Sequence, residues 1–338
     1  MQPHEIPVAP RRSSILAPIV AAVLLAGAGV PCLAQEAANE DSGAIVELEW
    51  WWLTPRNGEL SYAFIDDAGN LSGGGRLISL EDERAGVPRF YAGWKTAVRG
   101  AARIGASFHE YHETSRSGTG SFPEQVGALL ASPDFAIGRS LVDSATAESE
   151  LQAIVVDATV AWSRERSHSK LNMAAGLRLF SFEQRSVVTY DAEDFGQALR
   201  EIVNAKTEAS GLGPFVGLGF EVAFNRRVSL GARLAIALPV GDARQLTTDT
   251  AFIDGVFDRA TVVDDPGTRQ VFTQLDLDLE VRVKLPRGWG LRGAYAFQEW
   301  FGIRSGQRFV DALSQNTTVE MQQDVVFEGL LVGANYQF

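Results

Sequence analysis

Residues 271–285 read VFTQLDLDLEVRVKL. Val271, Thr273, Leu275, Leu277, Leu279, Val281, Val283 and Leu285 occupy alternate positions, and Phe272, Gln274, Asp276, Asp278, Glu280, Arg282 and Lys284 fill the gaps between them. A period of two is the repeat of an extended chain, whose successive side chains point to opposite faces. The stretch is therefore a strand with one apolar and one charged face. It is longer than the ~9–11 tilted residues with which a strand crosses a bilayer.

The same rhythm extends outward in both directions. It recurs through Val228–Val240, Leu212–Phe224, Leu171–Leu179, Ile154–Trp162 and Val46–Trp52, and more weakly through Arg89–Arg99, Ala101–Thr114 and Trp289–Ile303. The joints between these segments sort by length. Gly100, Glu165–His168, Asn225–Arg227 and Pro286–Gly288 are short, whereas 54–88, 115–148, 186–209, 241–268 and 304–323 are long. Short and long alternate along the chain, which gives ten strands with both ends on the short-turn side. Short periplasmic turns opposite long extracellular loops, on an even number of strands, are the plan of an outer-membrane β-barrel. The expected fold is thus all-β: a transmembrane antiparallel barrel of about ten strands. A hairpin from Ser61–Ile65 and Arg76–Leu80 would raise the number to twelve, and loss of the two weakest strands would lower it to eight. Within 186–209, Phe195, Leu199, Ile202 and Val203 have helical spacing behind Asp194, a candidate N-cap, so a short helix at the mouth is an alternative for that loop.

The beginning of the chain reads as an export signal. Arg11 and Arg12 form a basic region, Ile15–Val30 an apolar core broken by Pro18, and Cys32-Leu33-Ala34 a small-residue cleavage site. Cleavage is expected after Ala34, which leaves 35–43 as a short periplasmic segment and 44–338 as one barrel domain. Cys32 is the single cysteine of the chain. Pro31 stands where a lipoprotein signal wants a small residue, so Cys32 reads as part of the cleavage region. A mature chain without cysteine has no disulfide or thiol chemistry. With Glu5, Arg11 and Arg12 removed, 28 basic side chains face 41 acidic ones, a net charge of −13. That balance excludes the basic footprint of a nucleic-acid binder. No long apolar run follows the signal, so a membrane location requires a closed barrel, the other structure that satisfies every backbone polar group in lipid.

Leu330, Val332, Ala334, Tyr336 and Phe338 form a last strand that ends on an aromatic, and Tyr336 with Phe338 reads as the signal for the barrel assembly machinery. Trp162, Phe224, Trp289, Tyr336 and Phe338 fall at short-turn ends, with Trp50 and Trp52 toward the opposite rim, as interfacial girdles would. Leu48-Glu49-Trp50-Trp51-Trp52-Leu53, Gly176-Leu177-Arg178-Leu179, Gly211–Leu218 (GLGPFVGL) and Leu331–Phe338 (LVGANYQF), in that order, resemble the Legionella-type pore-forming major outer membrane protein family. The resemblance implies a pore-forming outer-membrane barrel and assigns a role to no individual residue.

Strand parity then sorts the lumen. Glu47, Glu49, Asp157, Glu221, Asp276, Asp278 and Glu280 are its acidic candidates, and Lys95, Arg99, Arg103, Arg178, Arg233, Arg282, Lys284 and Arg292 its basic ones. Arg233, the Asp276–Glu280 row and Arg292 lie on three consecutive strands and are expected to pair across the interior. No catalytic, cofactor or metal constellation emerges. His109-Glu110-Tyr111-His112-Glu113 lacks the zincin spacing and reads as a strand, Ser107 beside His109 makes no triad, and no Gly-x-Ser-x-Gly is present. Ten strands enclose a narrow or plugged lumen. The expectation is a narrow diffusion pore for small solutes or ions, with outer-membrane lipid and the assembly machinery as partners. The alternative is a non-transporting structural or adhesive barrel whose loops bind a surface partner.

Overall fold

The computed structural model describes residues 43–57, 61–66, 76–79, 84–96, 102–118, 125–128, 141–194, 196–309, 318–322 and 324–338. Ala34, the rest of the expected leader, the segment 35–42 and Arg99 lie outside them. In chain order the strands are β1 (Gly43–Asn57), β2 (Ser61–Asp66), β3 (Arg76–Ser79), β4 (Ala85–Thr96), β5 (Ala102–Gly118) and β6 (Gln125–Ala128). They continue with β7 (Leu141–Val142), β8 (Ser144–Arg166), β9 (Ser169–Asp194), β10 (Gln197–Ala223), β11 (Val228–Ala237) and β12 (Val240–Ile253). The last are β13 (Val256–Val271), β14 (Thr273–Lys284), β15 (Trp289–Phe301), β16 (Arg304–Phe309), β17 (Thr318–Gln322) and β18 (Val325–Gln337).

One antiparallel sheet closes on itself. β10 pairs with β11 along its lower part and with β12 along its upper part, so β11 and β12 are one stave, interrupted at Leu238-Pro239. Pro239 has no N–H to give the ladder; the Leu238 N–H still reaches the Pro214 carbonyl at 3.0 Å. β13 and β14 are likewise one stave, interrupted at Phe272, whose N–H donates to the Pro239 carbonyl at 2.8 Å. With β18 paired to β1, the sheet is a barrel of ten staves. The Ser61–Ile65 and Arg76–Leu80 hairpin does form, as β2 and β3, but in a separate small sheet with β6 and β7, so it adds nothing to the barrel.

Two expected long loops are not loops. β9 runs to Asp194 and β10 starts at Gln197, and β12 and β13 meet at the two-residue turn Asp254-Gly255. Asp254 has φ 49° and Gly255 φ 75°, the pair of positive values that a tight hairpin turn requires. The helical reading of Asp194–Val203 fails for the same reason: Leu199, Ile202 and Val203 are strand residues paired to β9 and β12. The apolar-out alternation stops along these staves while the pairing continues, and that is why the sequence there looked like loop.

The register locates the stop. Leu179, Leu212, Val240 and Val271 form one outward row across four staves. In the next row toward the extracellular end stand Ser181, Ser210, Asp242 and Arg269. Below the boundary the outward face is greasy and open: Leu212, Val216, Leu218 and Phe220 are each more than half exposed. Exposed large hydrophobic residues occur on every stave whose side chains are described. The largest apolar patch on a soluble monomer is roughly 300–600 Å², and a band around the whole barrel exceeds that. The outward residues from Leu212 to Val222 match the length of a tilted membrane-crossing strand. Above the boundary, β9 and β10 carry Glu183, Arg185, Lys206 and Glu208 outward, joined as ion pairs.

Candidate functional site

The inward face is layered, and single strands show the layers. Along β9, Arg178 is followed by Phe180 and Phe182, then by Gln184 and Ser186; along β1, Glu47 and Glu49 precede Trp51 and Leu53. Because each layer recurs at the same height on neighbouring staves, the lumen holds an open vestibule, a charged belt, an aromatic layer and a buried polar layer.

The belt centres on two arginines. Arg178 donates from Nε and Nη2 to both carboxylate oxygens of Asp157, at 2.7 and 2.9 Å, and from Nη2 to Asp276 at 2.7 Å. Arg292 donates to Glu280 at 2.6 Å, to Asp278 at 2.8 Å and to Glu49. Arg233 approaches Asp278 at 3.6 Å, and Arg89 approaches Glu49 at 3.4 Å. Lower down, Arg282 pairs with Glu280 at 2.8 Å and faces Glu221, which accepts from Ser229 Oγ at 2.6 Å. Charges this buried persist because each is paired and hydrogen-bonded; bidentate guanidinium–carboxylate geometry is the strong form of such a bond.

An aromatic layer packs across the lumen above the belt. Phe180 stands edge-on to Phe272, with ring centroids 5.0 Å apart, and to Trp300 at 5.7 Å; Trp300 in turn packs on Phe327 at 5.3 Å. These rings are at most 2% exposed, and Trp51, Leu53, Val87, Ile303 and Val325 are buried in the same cluster. Trp51 ties the two layers together: its indole N–H donates to Glu49 at 2.9 Å, and Arg89 lies over its ring at 5.1 Å. Beside and below the belt, small inward residues leave space among the charged ones. Ala161, Ala174, Gly217 and Gly219 line a cavity of about 160 Å³. It borders a wider vestibule of about 490 Å³ at the short-turn end, and Glu47, Lys170, Arg282 and Arg292 line both.

Parity therefore placed Glu47, Glu49, Asp157, Arg178, Glu221, Arg233, Asp276, Asp278, Glu280, Arg282, Lys284 and Arg292 on the lumen side, and the expected pairing of Arg233 and Arg292 with the Asp276–Glu280 row is present. The backbone of Arg103 sits in register with Lys95 and Ala161; its side chain, like those of His109 and His112 on the same strand, lies outside the described ones. Arg89 was missed, although it shares parity with Lys95. The aromatic layer was missed as a unit because its members are scattered over β1, β9, β15 and β18 and the Phe272 break. Each occupies an inward position, but only the closed register brings them together.

Two carboxylates outside the membrane span are held below the usual carboxylate range. Glu165, at the β8–β9 turn, accepts from the Lys170 ammonium at 3.1 Å, and Lys284 and Lys95 add their fields. Asp264, on the β12–β13 hairpin, accepts from Arg244 at 2.8 Å.

No family model matches this sequence, and no curated protein does. Among solved structures, the chain is similar to the outer membrane protease OmpT of Escherichia coli, at 10% identity over 88% of this chain and 97% of that one, with a TM-score of 0.48. It is also similar to the toluene transporter TodX of P. putida, at 10% identity over 89% and 91% of the two chains, TM-score 0.33. A FadL homologue of Pseudomonas aeruginosa matches at 10% identity over 90% and 92%, TM-score 0.28.

Proposed function

We propose that this chain lies in the bacterial outer membrane as a narrow passage for small ions or solutes that is closed at rest. The observation that carries the reading is the contrast along the lumen: open cavities at the short-turn end that reach up to the charged belt, and a buried aromatic layer above it. A barrel that needed only filling would gain as much from apolar side chains, since buried ion pairs seldom beat hydrophobic ones of equal volume. Ionisable groups held within a membrane span are functional by default. Opening then means parting Trp300, Phe272 and Phe180 while the belt residues stay hydrated from below. The resemblance to the Legionella-type pore-forming proteins belongs to this proposal.

Planar-bilayer recordings test it. The folded wild-type protein is expected to be silent apart from brief openings, and Phe272→Ala with Trp300→Ala to conduct persistently. Silence from both proteins, each shown to be folded by its gel shift between unheated and boiled samples, removes the passage. A second reading would then hold. The staves of 26 and 27 residues at β9 and β10 rise far beyond the lipid boundary and favour a non-transporting barrel that displays an extracellular surface to a partner.

A further inference from the structure

We propose that the short-turn vestibule is a binding site for a small, multiply charged anion of the phosphate class. The proposal relies on the preceding section only for the compartment the vestibule faces, the periplasm. The cavity, about 490 Å³, has the size of a small-molecule site. Lys95 from β4 and Lys284 from β14 line it, and neither ammonium has an ion-pair partner among the described residues. The other cations of its lining are paired: Lys170 with Glu165, Arg282 with Glu280 and Glu221, and Arg292 with Glu49, Asp278 and Glu280.

Their fields also converge, since Lys284 and Lys95 both act on Glu165 in addition to its bonded partner Lys170. Ammonium groups gathered at a mouth with low-dielectric walls focus potential and concentrate anions. Lysine binds phosphate as a point charge, without the planar match that a carboxylate–guanidinium pair needs. Glu47 lies deeper, where the vestibule meets the smaller cavity, and repels an anion that moves further in. The rim therefore holds the ligand rather than passing it on.

Two sources carry this chemistry: a free phosphoanion in the periplasm, and the headgroup phosphate of an anionic inner-leaflet lipid. The test is calorimetry of full-length, heat-modifiable protein with inorganic pyrophosphate at low salt, in nanodiscs of phosphatidylcholine and again with phosphatidylglycerol added. Saturable binding that weakens with salt is expected, with a loss of about tenfold or more in Lys95→Gln/Lys284→Gln and no change in Lys206→Gln on the extracellular side. Pyrophosphate binding that phosphatidylglycerol suppresses identifies the headgroup as the natural occupant; binding equal in both discs identifies a free anion. Absence of saturable binding to folded protein in phosphatidylcholine discs overturns the proposal, as does a double variant that binds like wild type. Neither result depends on conductance, so a closed barrel leaves this test standing.

Discussion

Arg178 on β9 and Asp276 on β14 lie three staves apart around the ring, yet their side chains meet at 2.7 Å through the lumen. The same guanidinium holds Asp157 on the neighbouring stave, so one cation joins three staves. Arg178→Met takes the bidentate partner from Asp157 and the guanidinium from Asp276, and breaking a buried pair in this way costs about 3–5 kcal/mol. The urea midpoint for loss of the heat-modifiable band is expected to fall accordingly. Adding Asp157→Asn and Asp276→Asn to the same variant removes the stranded charges and should restore most of the loss. A single variant as stable as wild type would show that the Arg178 cluster contributes nothing to holding the barrel.

The boundary between Leu212 and Ser210 on β10 divides lipid from water, and substitutions on either side should differ sharply. Leu218 is 52% exposed and faces outward well below that row. Arginine at such a depth costs about 2–4 kcal/mol, against about 0–1 kcal/mol near the interface. Leu218→Arg is therefore expected to lower the free energy of folding into bilayers by the larger amount, and Ser210→Arg by the smaller. Equal costs at both positions would mean that the outward row at Leu179, Leu212, Val240 and Val271 is not where the lipid ends.

Sequence alone carried the barrel because its evidence is local. Alternation along Val271–Leu285 or Val228–Val240 needs no partner strand to be read, and the same parity put Asp276, Asp278 and Arg292 into the lumen. What escaped it was of two kinds. Above the lipid the outward face turns polar at Ser181, Ser210, Asp242 and Arg269, so the greasy alternation ends although the ladder does not. Asp254-Gly255, a strong hairpin signal in itself, sat in a stretch read as loop. The aromatic seal is the second kind. Phe180, Phe272, Trp300 and Phe327 come from distant parts of the chain, and only shear and closure decide which inward residues share a height.

On the β12–β13 hairpin, Arg244 and Asp264 form an exposed pair outside the lipid, and its acid response has a definite sign. The hydrogen bond from Arg244 holds the Asp264 carboxyl below the usual range. A depressed folded value means that the pair's contribution is present above the ordinary ~3.9 of an aspartate and fades as pH falls through the lower folded value. NMR titration should place Asp264 below that ordinary midpoint, and Arg244→Gln should return it upward. High salt should do part of the same, because the pair is open to solvent. An Asp264 midpoint unaffected by Arg244→Gln would assign the depression to another cause.

Gly217 offers the sharpest check on whether the lower cavity is part of a route. A Cβ added there would meet the Ala174 and Ala235 methyls and the Phe215 ring, each at 3.6 Å, which is ordinary contact. The backbone therefore accepts a side chain, and a leucine would extend into the cavity of about 160 Å³ that Gly217 lines. Gly217→Leu should leave the heat-modifiable band and its urea midpoint close to wild type, since strand glycine costs stability and filling space adds contact. Combined with Phe272→Ala and Trp300→Ala, it should reduce the conductance those two substitutions release, because the ions that pass the parted seal still have to cross the filled cavity. Pyrophosphate binding at the rim, which lies on the periplasmic side of the filled space, should be unchanged. If the triple variant conducts as freely as the double, the ions take a path that avoids this cavity, and the small inward residues of β8, β9 and β10 serve packing alone.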